Sequence, residues 1–311
     1  MMSILNRVWS WFSGGERAVA GGLAATSSAQ ATGTVGMAPV SPELRVEAGV
    51  ATDTGCIRTI NEDALRVVRP TDADVMTQRG VLAVVCDGMG GHEAGEVASA
   101  LALETIIKRL DQDDRELPQD LVRAVQAANR AIYETARENP RLQGMGTTCC
   151  VLQMRGGMAY CAHVGDSRCY LIRGEALFVM TEDHSAVMDL VRRGLITLED
   201  ARNHPDKNVI SRALGSHREV EVSAWSHPFI VQPGDTFLLC SDGLYDLVED
   251  EQIRVTVGNG DVHAQVACDR LVALARERGG HDNISVAILR MRAADSSAVA
   301  VGATRVIEAV T

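Results

Sequence analysis

Two segments of the sequence share one form, in which a short apolar run leads into Asp-Gly. They are AVVCDG, which ends in Asp87 and Gly88, and LLCSDG, which ends in Asp242 and Gly243. A single Asp-Gly after a strand usually marks a turn. An Asp at a strand end is anchored by the core behind it, however, and the glycine lets a backbone carbonyl approach as another oxygen ligand. Because Mg²⁺ and Mn²⁺ prefer oxygen ligands, the repeated pattern predicts a cation site.

Further acidic residues stand beside the ends of apolar segments. They are Glu62 and Asp63 in NED, Asp166 in GDSR, Asp246 in DGLYD and Asp282 in HDN. A single acidic residue of this kind most often belongs to a solvated surface. Their recurrence at segment ends favours convergence on the same site as the two Asp-Gly pairs.

The apolar patterns predict strands in groups and helices in pairs. Strands are predicted at about 81–86, 147–154, 158–164, 168–173, 176–180, 237–240 and 284–291, and helices at about 93–110, 121–132 and 262–275. Two short helical pieces are predicted within 185–213, the second capped by Thr197. This arrangement favours antiparallel sheets with helices packed outside over a parallel sheet with regularly alternating helices.

Composition separates a folded unit from two ends of the chain. Residues 44–293 form the predicted domain, and residues 1–43 and 294–311 are interpreted as tails, the first containing a flexible Gly/Ala/Ser/Thr-rich linker. Residues 2–12 would present one apolar face as a short amphipathic helix, which fits weak docking to a membrane or a partner. A disordered tail is the alternative. No apolar run is long enough to span a membrane.

Charge and cysteine usage narrow the function classes. The net charge of −11 argues against a nucleic-acid binder, which needs a basic face to neutralise phosphates. None of the eight cysteines forms a Cys-x-x-Cys pair, and most lie in apolar runs. This predicts buried, reduced thiols in a cytoplasmic protein.

With these residues assembled, the sequence resembles the metal-dependent protein phosphatases, the PPM group also called protein phosphatase type 2C. Five motifs carry the resemblance in order between residues 46 and 291: RTINED, VVCDGMGGH, GDSR, SDGLYD and HDNIS. Bacterial members look most similar. The resemblance implies an α+β fold, a four-layer α-β-β-α sandwich of two antiparallel sheets flanked by helices, with a small flap subdomain at about 183–215.

The resemblance also implies an activity and a set of residue roles. The expected enzyme is a serine/threonine phosphoprotein phosphatase in which a hydroxide that bridges two Mn²⁺ or Mg²⁺ ions attacks phosphorus in line. Arg58 would grip the substrate phosphate, because a guanidinium presents paired donors in a fixed fork. The implied metal ligands are Asp63, Asp87, the Gly88 carbonyl, Asp242 and Asp282, with Glu62 acting through water and with Asp166 and Asp246 holding a third ion.

The proton donor to the leaving alkoxide stays open at this point. Some relatives carry a His directly after Asp-Gly, where this sequence has Met89. His92 follows three residues later and is one candidate, and metal-bound water is the other. The expected partners are phosphorylated proteins and a cognate serine/threonine kinase that the phosphatase would oppose in signal transduction, and the expected state is a monomer.

Other interpretations compete with this one. Cys149 and Arg155 have the Cys-x5-Arg spacing of a cysteine phosphatase, but CCVLQMR lacks glycine and is typical of a strand. Asp72 and Asp74 form Asp-x-Asp, but in a polar stretch before the strand. A phosphatase of a partner-switching stress pathway is generally less similar in the flap. A catalytically inactive, phosphatase-like binding module would be free to lose acidic ligands, whereas the set here is complete.

Overall fold

The computed structural model describes a large part of the chain: residues 44–70, 76, 78–91, 94–111 and 116–293, together with the backbone of 305–308. Within this part, none of the helices is both long enough and apolar enough to cross a membrane. The predicted amphipathic segment 2–12 and the linker after it lie outside the described residues.

The strands form two antiparallel sheets. They are β1 (Leu44–Asp53), β2 (Asp63–Arg69), β3 (Val81–Met89), β4 (Gly146–Thr147), β5 (Cys149–Arg155), β6 (Met158–Val164), β7 (Arg168–Arg173), β8 (Ala176–Val179), β9 (Ser223–Ala224), β10 (Phe229–Ile230), β11 (Thr236–Cys240), β12 (Ile284–Ala293) and β13 (Arg305–Glu308). One sheet has the order β1-β12-β11-β7-β8. The other has the order β10-β6-β5-β3-β2-β13, with β4 beside β3 and β9 beside β6.

Helices cover the outer faces of both sheets. The helices of the described residues are α1 (Ala94–Leu110), α2 (Gln119–Glu138), α3 (Ala186–Arg192), α4 (Leu198–Arg202), α5 (Asp242–Tyr245), α6 (Asp250–Gly258) and α7 (Ala264–Glu277), with a 3₁₀ turn at Pro140–Leu142. Helices α1 and α2 pack on the larger sheet, and α6 and α7 pack on the smaller one.

Side chains that point alternately to the two faces of each strand produce the layers. In β3, Val81, Ala83 and Val85 enter the core between the two sheets, whereas Leu82 and Val84 face α1 and α2. Successive side chains of a strand point to opposite faces, so a strand that is apolar on both faces must be covered on both. The predicted α-β-β-α sandwich of the α+β class is thereby confirmed.

Two details differ from the sequence prediction. The strand predicted at 147–154 is interrupted at Thr148: its N–H still donates to the Asp87 carbonyl, in register with the neighbouring pairs, but the Asp87 N–H donates to the Thr148 side-chain hydroxyl. Within the predicted tail 294–311, Arg305–Glu308 form a strand that pairs antiparallel with β2. The backbone of these four residues therefore extends the larger sheet at its edge.

The flap predicted at 183–215 is a small unit with helices α3 and α4. Thr197 caps α4 as predicted, and a capping box with Asp200 satisfies the first backbone N–H groups of that helix. The flap is closed by an isolated bridge between Ser185 and Ile210, and a second bridge joins Leu214 to Thr147. The first bridge closes the flap on itself, and the second ties its carboxyl end to the body of the domain.

Helix α7 approaches β1 so closely that there is no room for a side chain at Gly49. A Cβ at Gly49 would lie 2.7 Å from the Ala264 carbonyl oxygen. We expect Gly49→Ala to push α7 off the sheet and lower the free energy of unfolding by about 1–3 kcal/mol. Gly260→Ala is the matched control, since a Cβ at Gly260 meets nothing within 4 Å. Urea denaturation of both variants checks this; equal midpoints would contradict the packing argument.

Candidate metal centre

Asp63 and Asp87 stand directly opposite each other on neighbouring strands. Asp63 begins β2, Asp87 lies near the end of β3, and the antiparallel register pairs the two residues. Directly opposite residues project to the same face of a sheet, a few ångströms apart. Two like charges there destabilise the pair unless something offsets them.

Asp166, Asp242 and Asp282 lie together at one end of the smaller sheet. Cys240 of β11 pairs with Arg168 of β7, so Asp242 and Asp166 each lie two residues beyond that pair. Asp282 lies two residues before the start of β12, which pairs with β11. The ends of three adjacent strands therefore bring these three acids to one edge.

The acids of the two sheets influence one another electrostatically. Burial raises the pKa of Asp87 well above its usual value, and the carboxylates of Asp63, Asp242, Asp166 and Asp282 raise it further. Burial also raises the pKa of Asp63 to about 6, against the hydrogen bonds that it receives, with Asp282 and Glu62 adding to the effect. Charges from both sheets therefore act on Asp87, and the structure brings the acids named from the sequence to one edge of the sandwich.

The same causes act on the other half of the cluster. Burial, followed by the neighbouring carboxylate of Asp183, raises the pKa of Asp166 to about 7. The pKa of Asp242 lies well above its usual value, through burial and through Asp166, Asp282 and Asp246. Such a group of mutually repelling, buried carboxylates is the arrangement that a cation of charge +2 stabilises.

Whether the residues present fit divalent cations can be tested on their unpaired oxygens. Among the described residues, Oδ1 of Asp63, of Asp166 and of Asp242 is buried without a hydrogen-bond partner. Buried polar atoms are nearly always paired, so three such oxygens in one cluster indicate ligands for ions. Within the same residues, no group of three or more His, Cys, Asp or Glu stands at ligand spacing. The carboxylates would therefore have to rotate together to share an ion.

Hydroxyl and amide groups behind the acids hold them in place. The Ser241 hydroxyl donates to Asp63 Oδ2 at 2.8 Å, and the Ser285 N–H donates to the Ser241 hydroxyl at 3.0 Å. Asn283 accepts from the Glu62 N–H at 2.8 Å and donates to the carbonyls of Thr54 and Ile60, both at 3.0 Å. Ser241, Ser285 and Asn283 were not predicted from the sequence as supporting residues. All three lie inside or next to the motifs SDGLYD and HDNIS, so adjacency to the acids was the available signal.

Gly88 connects the first Asp-Gly pair to helix α1. Its N–H donates to the Glu62 carbonyl at 3.1 Å. A Cβ at this position would clash with the carbonyl oxygens of Gly95 and Glu62. Only glycine therefore lets the start of α1 approach the acidic strand ends.

Arg58 lies at the rim of the cluster, on the loop between β1 and β2. Its Nη2 donates to Asp282 Oδ2 at 2.9 Å, and its Nη1 lies 3.9 Å from Glu62 Oε2. Its side chain is 48% exposed, so part of the guanidinium faces solvent. The structure therefore places the predicted phosphate-binding cation against the acids and within reach of an incoming anion.

Asp246 is engaged differently from the other acids. Its Oδ2 accepts from Lys207 Nζ of the flap at 2.9 Å. Lys207 was not predicted from the sequence, because its partner is 39 residues away and belongs to another element. Of the two residues predicted to hold a third ion, Asp166 has an unpaired buried oxygen, whereas Asp246 forms an ion pair with Lys207.

Several remaining predictions can be placed. His92 lies outside the described residues, as do Asp72 and Asp74. Cys149 is fully buried, and its pKa is raised well above the usual value by its contact with Cys86 and by burial, so it is no thiolate nucleophile. The predicted free thiols are present, and Cys56 is exposed whereas the other seven are buried.

Comparisons with known proteins point to one family. The family profile described as protein phosphatase 2C matches residues 58–287. The chain is 38% identical over 243 residues to the serine/threonine phosphatase stp of Listeria monocytogenes, which covers 76% of this chain and 93% of the relative. It is 39% identical over 254 residues to the serine/threonine protein phosphatase PstP of Mycobacterium tuberculosis, which covers 81% of this chain and 46% of the relative.

Solved structures agree with the sequence comparisons. The crystal structure of the Mycobacterium tuberculosis phosphatase PstP/Ppp superposes with a TM-score of 0.70 at 37% identity, over 80% of this chain and 99% of that one. The catalytic domain of PstP in complex with two manganese ions superposes with a TM-score of 0.67 at 34% identity, over 80% and 99%.

The raised pKa values predict how the stability of the metal-free protein depends on pH. A carboxyl group whose folded-state pKa lies above its unfolded value near 3.9 contributes stability at low pH, and loses it as pH rises through the folded-state pKa. Replacing Asp242 by Asn removes one of the repelling charges. In EDTA at pH 8 we therefore expect Asp242→Asn to melt at least about 2 °C above the wild type, a shift that corresponds to about 1 kcal/mol for a domain of this size.

The same melting experiment contains its own counter-test. At pH 5 the difference should shrink, and Mn²⁺ should raise the melting temperature of the wild type far more than that of Asp242→Asn. Asp261→Asn, an exposed aspartate outside the cluster, is the control. If Asp242→Asn were less stable than the wild type in EDTA at pH 8, the repulsion argument would fail.

Proposed function

The chain belongs to the protein phosphatase 2C family and is a metal-dependent serine/threonine phosphoprotein phosphatase, and we propose that its acidic strand ends form the catalytic centre. The centre of such an enzyme is a pair of Mn²⁺ or Mg²⁺ ions. In this chain the proposed ligands are Asp63, Asp87, the Gly88 carbonyl, Asp242 and Asp282, with Glu62 acting through water.

One observation carries this proposal. Buried carboxylate oxygens of Asp63 and Asp242, which come from different sheets, lack partners in a cluster where each acid raises the pKa of another. When bound, the two cations supply Lewis acidity that activates water and polarises phosphoryl oxygens. Once the carboxylates have rotated onto the ions, their rigid strand ends would hold them there during the reaction, which is the condition for strong electrostatic stabilisation of a transition state.

Arg58 is the proposed phosphate-binding residue. Its guanidinium is held by Asp282 and keeps donors free toward solvent. A phosphoserine or phosphothreonine that approaches the centre would meet these donors, which match phosphate oxygens in a bidentate manner. Burial lowers the pKa of Arg58, but the carboxylates of Asp282, Glu62 and Asp87 together outweigh burial and raise it, so the guanidinium stays charged at any working pH.

The proton donor to the leaving serine or threonine remains a proposal with two candidates. His92 is one, on the segment that follows Asp87 and Gly88, and water is the other. The pH profile of His92→Ala separates them: a proton donor must be protonated to act and so limits activity at high pH, and an unchanged alkaline limb would exclude His92.

Wider assignments extend the proposal. Residues 44–293 would be the catalytic domain, with residues 1–43 as a docking tail and linker. The cellular counterpart would be a serine/threonine kinase whose phosphoprotein products are the substrates, and the enzyme would act in the cytoplasm as a monomer. Phosphoproteomics of a strain that carries Asp242→Asn tests the substrate assignment, since the phosphorylation of true substrates should rise.

A direct assay tests the activity itself. Hydrolysis of a phosphothreonine peptide should require Mn²⁺ or Mg²⁺ and should be lost in Asp242→Asn. Absence of hydrolysis by well-folded wild-type protein would favour the inactive, phosphatase-like binding module instead. No observation in the described structure favours that alternative, because the acidic set is complete.

Removing the guanidinium should weaken substrate binding more than the chemical step. For Arg58→Ala we expect KM for a phosphopeptide to rise about 10-fold or more, since a hydrogen bond to a charged group contributes about 1.5–3 kcal/mol. Arg58→Lys should recover only part of this, because lysine lacks the fork. Arg270→Ala, at an exposed position on α7, is the control. An unchanged KM in Arg58→Ala would contradict the role.

The ion pair between Lys207 and Asp246 predicts that Lys207 of the flap competes with a third cation for the Asp246 carboxylate. Lys207 already places a positive charge on that carboxylate, so another cation has to displace it. Lys207→Met should therefore bind additional Mn²⁺ more tightly than the wild type, with Lys108→Met as an exposed control. Isothermal titration calorimetry measures this directly. Equal affinities for the additional ion would show that Asp166 and Asp246 do not form a third-ion site limited by Lys207.

A further inference from the structure

One hydroxyl group, that of Thr148, lies between the two halves of the acidic cluster. The Asp87 N–H donates to Thr148 Oγ1 at 2.9 Å. The same oxygen shares a hydrogen bond with Ser167 Oγ at 2.6 Å, and Ser167 directly follows Asp166. Both hydroxyl-bearing residues are buried. A single side chain thus links the backbone of Asp87 on one sheet to the segment that carries Asp166 beside the other sheet.

Thr147, the residue before Thr148, connects Asp87 to the carboxyl end of the flap. Thr147 Oγ1 donates to the Asp87 carbonyl at 2.8 Å, and the Thr148 N–H donates to that carbonyl at 2.8 Å. The Thr147 backbone also exchanges two hydrogen bonds with Leu214, at 3.2 and 2.8 Å. The carboxyl end of the flap and Asp87 are therefore held by the same two residues.

The other end of the flap is attached to the Asp166 segment. The His184 N–H donates to the Gly165 carbonyl at 3.0 Å, and the Gly165 N–H donates to His184 Nδ1 at 3.0 Å. Gly165 has a φ of +98° and lies against Thr148, so close that a Cβ there would be 2.6 Å from the Thr148 Cβ. The hydrogen bonds therefore close a ring: Asp87, Thr148, the Gly165–Ser167 segment, the flap, Thr147 and Asp87 again.

We infer that Thr148 is a positioning residue that fixes Asp87, the Asp166 segment and both ends of the flap in position relative to one another. This inference rests on the proposed metal centre. It assigns Thr148 no contact with substrate; its hydroxyl acts through the peptide groups and the serine that it holds. Loss of that hydroxyl would let the two groups of acids shift relative to each other and would loosen the flap at the same time.

The test compares the removal of the hydroxyl with its retention. Thr148→Val keeps the shape and removes the hydrogen bonds, whereas Thr148→Ser keeps the hydroxyl. We expect Thr148→Val to bind Mn²⁺ about 10-fold more weakly in calorimetry, the usual size of an effect from residues that support metal ligands. Thr148→Ser should restore most of the affinity. Amide hydrogen exchange in α3 should also become faster in Thr148→Val.

A matched control separates positioning from ordinary loss of stability. Thr236 is a buried threonine at the start of β11, away from the acidic end of that strand, and it accepts one hydrogen bond from Arg290 at 3.4 Å. Thr236→Val should leave Mn²⁺ affinity and flap exchange unchanged. If Thr148→Val and Thr236→Val affect both readouts equally, the inference is wrong.

Two further measurements keep the outcome decisive. If Thr148→Val fails to fold, Ser167→Ala removes the same hydroxyl contact from its other side, and an unchanged Mn²⁺ affinity would then overturn the inference. If Asp242→Asn binds Mn²⁺ as tightly as the wild type, the proposed metal centre itself has failed. A wild type that binds Mn²⁺, an Asp242→Asn variant that does not, and an unaltered Thr148→Val would reject Thr148 alone.

Discussion

Repulsion between buried carboxylates is the interaction on which the arrangement of this enzyme depends. Asp63 and Asp87 face each other across two strands, and Asp242 and Asp166 approach them from the second sheet. Charges repel more strongly at a partly desolvated rim than in water. What resists this repulsion is the apolar core behind each strand end, since every acid continues a strand whose side chains are packed between layers. The fold thus stores an electrostatic cost at one edge, and divalent cations offset it.

Neutral hydrogen-bond donors and acceptors behind the acids fix the geometry of this edge. Ser241 and Asn283 connect acids of one sheet to loops and strands of the other. Thr148 connects Asp87 to Ser167 and, through its neighbour, to the flap. Such groups add no charge, so they fix geometry without adding to the repulsion. Metal affinity and flap order are accordingly expected to change together when the Thr148 hydroxyl is removed.

Sequence reasoning recovered the parts of the structure that local pattern determines. Most strands, the helices over 93–110 and 262–275, the Thr197 cap and the acids of the motifs could all be read from periodicity, end signals and resemblance. The strands β1 and β2 were not predicted as such. The supporting contacts could not be predicted either, because Ser241 reaches Asp63 across 178 residues and Lys207 reaches Asp246 across 39. The break at Thr148 has the same origin, since it arises where the Asp87 N–H, 61 residues away in the chain, donates to the Thr148 side-chain hydroxyl.

The central claim is that acids from both sheets form one centre for two cations, and anomalous X-ray scattering tests it most directly. Crystals of the protein grown with Mn²⁺ should give two strong peaks at the manganese edge, close to each other and bounded by Asp63, Asp87, Asp242 and Asp282. A weaker third peak would belong beside Asp166 and Asp246. Peaks confined to other surfaces, or one isolated peak that touches the acids of a single sheet, would contradict the account.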